Sequence, residues 1–330
     1  TDIVKNVGKK LKLDGCIVFN LSIRDPIDFL GLPSIDQKRK RTVYNVPDIF
    51  PPSDTDTKGI IFFDELNRAD PMVIKASLQF ILDREIGGYK LPNGWSIIAA
   101  GNRSGAETAG GEVSDLGSAL GNRFKHVNYV PTVENWEKWS ASPEAIDAET
   151  GESVLSDDIL NFIKFNEKWF HHFDPNNESP VWASPRSWVQ ASKEYIRTKA
   201  MFAAKHKELT NDELLLIIQK AVGFSAAQEF ISFKKTLLDY LTADDIENVY
   251  KKPEKAALPP KSGRGIKLDV AHAMMNAIAY KRRTKKITEK EFDNVITYAM
   301  RLNSLEWGSA LVRLIIKMHP YVGQYSDSLK

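Results

Sequence analysis

Along the first 130 residues the apolar positions fall into short unbroken runs separated by turn residues and amphipathic stretches. Ile60, Ile61, Phe62 and Phe63 are four consecutive apolar side chains, the pattern of a strand buried on both faces of a parallel sheet. Residues 16–21 and 96–101 form two further core-strand runs, and residues 126–130 a fourth. Between them, residues 1–13 put Ile3, Val4, Val7 and Leu11 on one helical face, and residues 72–84 do the same with Val73, Ala76, Ser77, Phe80 and Ile81. Strands alternating with helices predict a parallel sheet with crossover connections. Residues 22–52 hold three strand-like patches with turn residues, which predicts a hairpin insertion rather than a helix. Residues 85–95 carry two hairpin signals, Gly87-Gly88 and Asn93-Gly94. Residues 105–117, rich in glycine and small polar side chains, read as a loop.

Beyond about residue 131 the strand signal stops and helical patterns take over. Thr210 with Glu213, and Thr288 with Glu291, fit the capping box, and Ser184-Pro185 reads as an N-cap and first helical residue. Residues 255–265, with a proline pair and two glycines, read as an extended connection between helix groups. The fold class is therefore α/β followed by all-helical. Residues 1–140 form a parallel-sheet domain with hairpin insertions, and residues 141–330 a helical lid with a helical extension; the change of character falls within residues 131–155. There is no internal repeat.

The 330 residues carry 45 basic and 43 acidic side chains, a net charge of +2 that predicts no bulk attraction to nucleic acid or an anionic membrane. The run Lys38, Arg39, Lys40 and Arg41 is the one local exception, read as a solvated hairpin tip with nucleic-acid contact as the alternative. A single cysteine, Cys16, excludes disulfide frameworks and cysteine-rich metal sites and reads as a small core residue in a reducing compartment. No stretch approaches the roughly 18 apolar residues a membrane span needs, so a cytoplasmic protein is expected. His171 and His172 would point to different faces of a helix and are read as structural. Trp169, Phe170, Trp182, Trp188 and Phe202 read as core, and residues 281–286 (KRRTKK) as a charged helix end.

The candidate chemistry begins where the apolar run meets Asp64 and Glu65. Carboxylates at the carboxyl end of a core strand lie where open α/β sheets place their ligands. Asp70 and Pro71 read as the N-cap and first residue of the following helix, which puts the pair in a short strand-to-helix connection. One reading is a nucleotide-bearing magnesium ion, Asp64 orienting its water shell and Glu65 polarising the attacking water. The other is a strand end whose acids simply hydrate. Arg186, in the first turn of its helix, is placed where the dipole disfavours a cation unless an anion joins it; pairing with a nearby acid such as Glu178 is the alternative. Arg123 suits a developing phosphate charge supplied across a subunit boundary, or an intrachain salt bridge. Asn102 follows the residue 96–101 strand as a polar end residue.

Four features in this order resemble the MoxR-type AAA+ ATPases: a hydrophobic strand ending in DE, a strand ending in AAGN, an LGSALGNRF segment, and ASPRSW at the start of a later helix. The resemblance runs from the first amphipathic helix through the DPIDFLGLP and EIGGYKLPNG insertions to the helical lid. It implies a P-loop AAA+ domain binding ATP and Mg2+. Asp64 and Glu65 would be the Walker B pair, Asn102 the sensor positioning the lytic water, Arg123 the finger reaching a neighbour's nucleotide, and Arg186 the lid sensor. It further implies a homo-oligomeric ring, commonly a hexamer, that remodels a protein partner, often one with a von Willebrand factor A domain. Arg68 is a further residue that would face a neighbour. The family's GxxxxGK[ST] loop is not in this sequence; Thr1 stands where its last Ser/Thr would fall and would contact magnesium. The glycines of residues 261–267 (KSGRGIK) do not substitute for it. The loop is expected in residues preceding Thr1, together with a central strand pairing with the Asp64 strand, without which the sheet would be split. A degenerate relative that binds nothing, a structural ring subunit without turnover, and a component acting on nucleic acid are the alternative readings.

Overall fold

The computed structural model describes residues 1–101, 122–174, 179–239, 241–258, 268–302, 305–322 and 324. The chain is α/β, with a parallel three-stranded sheet and, among the described residues, twelve α-helices. It divides into two compact units, Thr1–Asn128 and Tyr129–Lys330. The glycine-rich loop, Asn102 and most of the LGSALGNRF segment lie outside the described residues, as do Glu178 and the KSGRGIK segment up to Lys267.

In the first unit, strands β1 (Gly15–Asn20), β4 (Gly59–Asp64) and β7 (Trp95–Ala99) lie parallel in the order β1-β4-β7. The three expected core runs all form. Residues 60–63 are buried on both faces, and the strand that is apolar on both faces takes the middle, where helices and loops can cover it from two sides. This corrects the expectation of an external strand pairing with the Asp64 strand: both edges of β4 are taken from within the chain, and the sheet is continuous. Gly15 and Gly59 lie against the Trp95 indole, where a Cβ on either would come within 2.6 Å of the ring.

Helix α1 (Asp2–Lys10) forms, but its expected apolar face does not pack. Ile3, Val7 and Leu11 are exposed, and Gly8 is the buried position, against Cys16. The helix touches the sheet through its smallest residue because only there can its backbone approach β1 closely. Cys16 itself is half-buried. Residues 126–130 form no strand. Val127, Tyr129 and Val130 are exposed, and alternation alone cannot supply the missing ladder partner.

Helix α2 (Ile27–Leu30) precedes a two-stranded hairpin of β2 (Leu32–Asp36) and β3 (Arg41–Asn45). The insertion thus contains a turn of helix as well as the expected hairpin, because Phe29 must reach the core. It joins Phe19, Phe50, Phe63, Phe80 and Tyr89 in one aromatic cluster with centroid separations of 5.1–6.4 Å. Helix α3 (Pro71–Asp83) is capped by Asp70, whose carboxylate accepts from the Met72 amide at 2.7 Å, and buries Val73, Ser77 and Phe80. Gly87-Gly88 closes the small hairpin of β5 (Glu85–Ile86) and β6 (Tyr89–Lys90). Asn93-Gly94 instead turns the chain into the parallel strand β7: the Gly94 carbonyl accepts from the Gly59 amide at 3.2 Å, so the signal marks a turn, not a second hairpin.

The second unit is helical: α4 (Val133–Ser140), α5 (Asp157–Phe165), α6 (Pro185–Ala204), α7 (Asn211–Val222), α8 (Phe224–Leu238), α9 (Ala243–Lys251), α10 (Leu268–Tyr280), α11 (Glu289–Arg301) and α12 (Leu305–Met318). Both expected capping boxes form, at Thr210/Glu213 and Thr288/Glu291. One core gathers Phe162, Trp169, Phe170, Trp188 and Phe230; a second gathers Val249, Tyr250, Ile278, Phe292 and Tyr298. Trp182 and Phe202 are only half-buried.

One reading of this unit changes and one gains detail. Residues 281–286 follow α10 as a charged stretch with Lys281, Lys285 and Lys286 exposed, but its two arginines are partnered. Arg283 is buried, bound to the Asp157 carboxylate and the Leu155 carbonyl, and Arg282 is bound to Glu247 and Glu291. His171 and His172 follow a short 3-10 turn and lie in extended backbone rather than a helix. They face different aromatic rings, Trp182 and Trp169, at 5.0 and 4.9 Å.

Candidate functional site

The end of β4 and the beginning of α1 meet. The Thr1 hydroxyl donates to Asp64 Oδ2, and the Thr1 nitrogen lies 3.9 Å from the same oxygen. Asp64 Oδ1 accepts from the Glu65 amide at 3.2 Å, so the backbone leaving the strand orients the carboxylate from its other side. Glu65 occupies the left-handed region, φ 57° and ψ 37°, an uncommon conformation for a glutamate that turns the chain sharply out of the sheet. The turn is held by the Leu66 amide donating to the Ala100 carbonyl at 2.9 Å and the Ala100 amide donating to the Phe63 carbonyl at 2.8 Å. The ends of β4 and β7 are therefore tied together where the acids emerge.

Two residues that sequence reasoning passed over belong to this corner. Asn20, the last residue of β1, stands in register with Asp64, its side-chain oxygen accepting from the Ser22 amide and hydroxyl at 3.2 and 2.8 Å. Asn67 is a buried polar residue in the turn after Glu65, and its amide lies against Gly101. A polar residue two places beyond the acidic pair was the available signal for Asn67; nothing local pointed to Asn20, whose place depends on strand pairing. Arg68 Nη1 is 3.8 Å from Glu65 Oε2 in its own chain.

Among the residues expected to form a site, the structure brings Thr1, Asp64 and Glu65 together. Arg123 is exposed in a turn, and Asn102 lies outside the described residues. Arg186 is exposed at the second position of α6, after Ser184, whose hydroxyl accepts from the Ser187 amide at 3.1 Å. Among the described residues it has no carboxylate within ion-pairing distance.

Thr1 Oγ1 and the Asp64 carboxylate are hard oxygen donors already in contact, a set that suits a magnesium ion. No group of three or more histidine, cysteine or acidic side chains converges among the described residues. Magnesium fits such a sparse set, since it is held by one or two carboxylates and completes its octahedron with water and phosphate oxygens. No described helix is long and apolar enough to cross a membrane. Neither a comparison with protein-family models nor one with curated proteins gives a match.

Proposed function

We propose that this chain is the catalytic module of a MoxR-type AAA+ ATPase, hydrolysing ATP with magnesium and using the cycle to remodel a partner protein within a ring of identical subunits. The observation that carries the reading is the contact between Thr1 and Asp64 across 63 residues of sequence, with Glu65 next in line. A hydroxyl on one element and a carboxylate at the end of a buried strand form the two-oxygen corner that a nucleotide-bound magnesium needs.

Magnesium, when bound, neutralises charge on the phosphate oxygens. Thr1 and Asp64 would hold it. Glu65, turned out of the sheet by its left-handed backbone, would accept the proton of an attacking water. Arg68, with Nη1 3.8 Å from Glu65 Oε2, would help to aim that carboxylate. Arg123 of a neighbouring subunit and Arg186 would supply positive charge as the phosphate departs, the role in which arginine fingers contribute ~10³ to 10⁵ in rate. Asn102 would position the water.

Steady-state ATP turnover by the full-length protein, with Glu65→Gln as the comparison, tests the proposal. Turnover should fall about 100-fold or more in the variant while nucleotide binding persists, as loss of a general base removes ~10² to 10⁴ in rate. Turnover that is absent in the parent protein, or equal in the variant, rejects the enzymatic reading.

A further inference from the structure

The β2–β3 hairpin is built to be rigid at its root and open elsewhere. Gly31, at φ 76°, lies so close to the Asn45 carbonyl that a Cβ would sit 1.9 Å from that oxygen, and Asn45 Nδ2 donates to the Leu32 carbonyl at 3.1 Å. Beyond that root, all five residues of β3 are exposed, and Leu32 and Ile35 of β2 are 63% and 68% exposed. The sheet has only two strands, so each has one edge unpaired among the described residues. β2 carries Pro33, which contributes no N–H to a ladder. β3 carries Thr42, Val43 and Tyr44, a β-favouring run without proline, on an edge that no further strand pairs with among the described residues, although Gly87 of the β5–β6 turn lies against the Tyr44 side chain.

Four consecutive cations cap this edge. Asp36 is the one acid in the turn. It is occupied there, accepting from the Lys38 and Arg39 amides at 2.9 and 3.1 Å and lying 3.7 Å from Arg39 Nε. Lys38, Lys40 and Arg41 have no carboxylate within ion-pairing distance among the described residues.

We propose that β3 is a docking edge for an extended segment of a partner protein, which adds as a third strand and presents acidic side chains to the Lys38–Arg41 tip. Main-chain hydrogen bonds would supply affinity and the charges would select orientation. Nucleic acid fits less well. The exposed side chains beside the tip are largely aliphatic, with Tyr44 the one ring on which a base could stack, and aliphatic groups gain nothing from phosphate. The inference does not rest on ATP hydrolysis, and it is read without nucleotide.

The test is fluorescence anisotropy of a labelled peptide alternating threonine and valine and ending in a run of glutamates. The comparisons are the same peptide ending in lysines and a single-stranded oligothymidylate. The glutamate peptide should bind the chain about tenfold or more tighter than the lysine peptide. Thr42→Pro, which removes a donor on the open edge because Thr42 stands in a non-hydrogen-bonded pair with Ile35, and the exposed-tip variant Lys38→Glu/Arg39→Glu/Lys40→Glu should each weaken it by about the same factor, with unchanged circular dichroism. Absence of binding, equal binding of the lysine peptide, or tighter binding of the oligonucleotide would overturn the proposal. So would dimerisation of the chain that Thr42→Pro abolishes, which would identify the occupant as a second copy.

Discussion

Arg282 holds Glu247 with both terminal nitrogens, Nη1 at 3.3 Å and Nη2 at 3.0 Å from its carboxylate oxygens, and reaches Glu291 through Nε at 3.2 Å. The guanidinium also lies over the Tyr250 ring, 4.6 Å from its centroid. One side chain thus joins α9, α11 and the turn after α10. The hydrogen bonds from Arg282, helped by Lys251 and opposed by burial, pull the Glu247 carboxyl down to about 2. A carboxyl lowered in the folded state stabilises the fold above its unfolded value of 4.5, and that contribution is lost as pH falls from 4.5 towards about 2. Arg282→Met should lower stability at neutral pH by about 2 kcal/mol, a value discounted for the partly exposed Glu247. It should also flatten the acid limb of the stability profile. Urea unfolding at a series of pH values checks both; an unchanged acid limb would show that Glu247 is not the titrating group.

Trp188 is fully buried, and its Nε1 donates to the Trp169 carbonyl at 2.7 Å. Trp188→Ala should cost roughly 3–5 kcal/mol through the cavity left among Phe162 and Phe230. Trp188→Phe keeps most of the volume but strands a buried carbonyl, a loss of about 1–3 kcal/mol. Thermal melts of the two variants should therefore rank in that order.

At Gly101 a Cβ would come within 2.6 Å of Asn67 Oδ1 and 2.9 Å of its Cγ. Gly101→Ala should destabilise the first unit by about 1–3 kcal/mol, because Asn67 is buried and has little room to give. Trimming the obstacle should relieve it: Asn67→Ala combined with Gly101→Ala should cost less than the sum of the two single changes. Strict additivity would place the strain elsewhere.

Arg186 separates stability from activity. In the first turn of α6 its charge opposes the helix dipole, so Arg186→Ala should leave the nucleotide-free protein equally stable or more stable by up to ~1 kcal/mol. If Arg186 serves a phosphate, the same change should weaken nucleotide affinity or turnover. Melting curves without nucleotide, set beside ATPase rates of the assembled protein, read the two effects independently. Unchanged turnover removes Arg186 from the site.

Much of the fold is local chemistry and was legible as such. The caps at Asp70, Ser184, Thr210 and Thr288 form because each side chain reaches an amide two or three residues on, whatever the rest of the chain does. The acidic pair was legible for the same reason, since an apolar run that ends in two carboxylates needs no partner to be recognised. Asn20 and Asn67 were not, because their places beside the acids come from strand register and from the tie between β4 and β7. The partners of Arg283 were not legible, because only the approach of α5 makes Asp157 and Leu155 available to it.

By itself the sequence determined the alternation of core strands with amphipathic helices, the helix starts, the acidic strand end and the change to helix past residue 131. These follow from side-chain periodicity and from contacts a few residues long. Tertiary structure alone decided that β4 is the middle strand, that the Ile3, Val7 and Leu11 face of α1 stays exposed, that residues 126–130 form no strand, and that Thr1 meets Asp64. A periodic pattern says which face can be buried, but burial and pairing need a second surface, and in a folded chain that surface comes from residues far away in sequence.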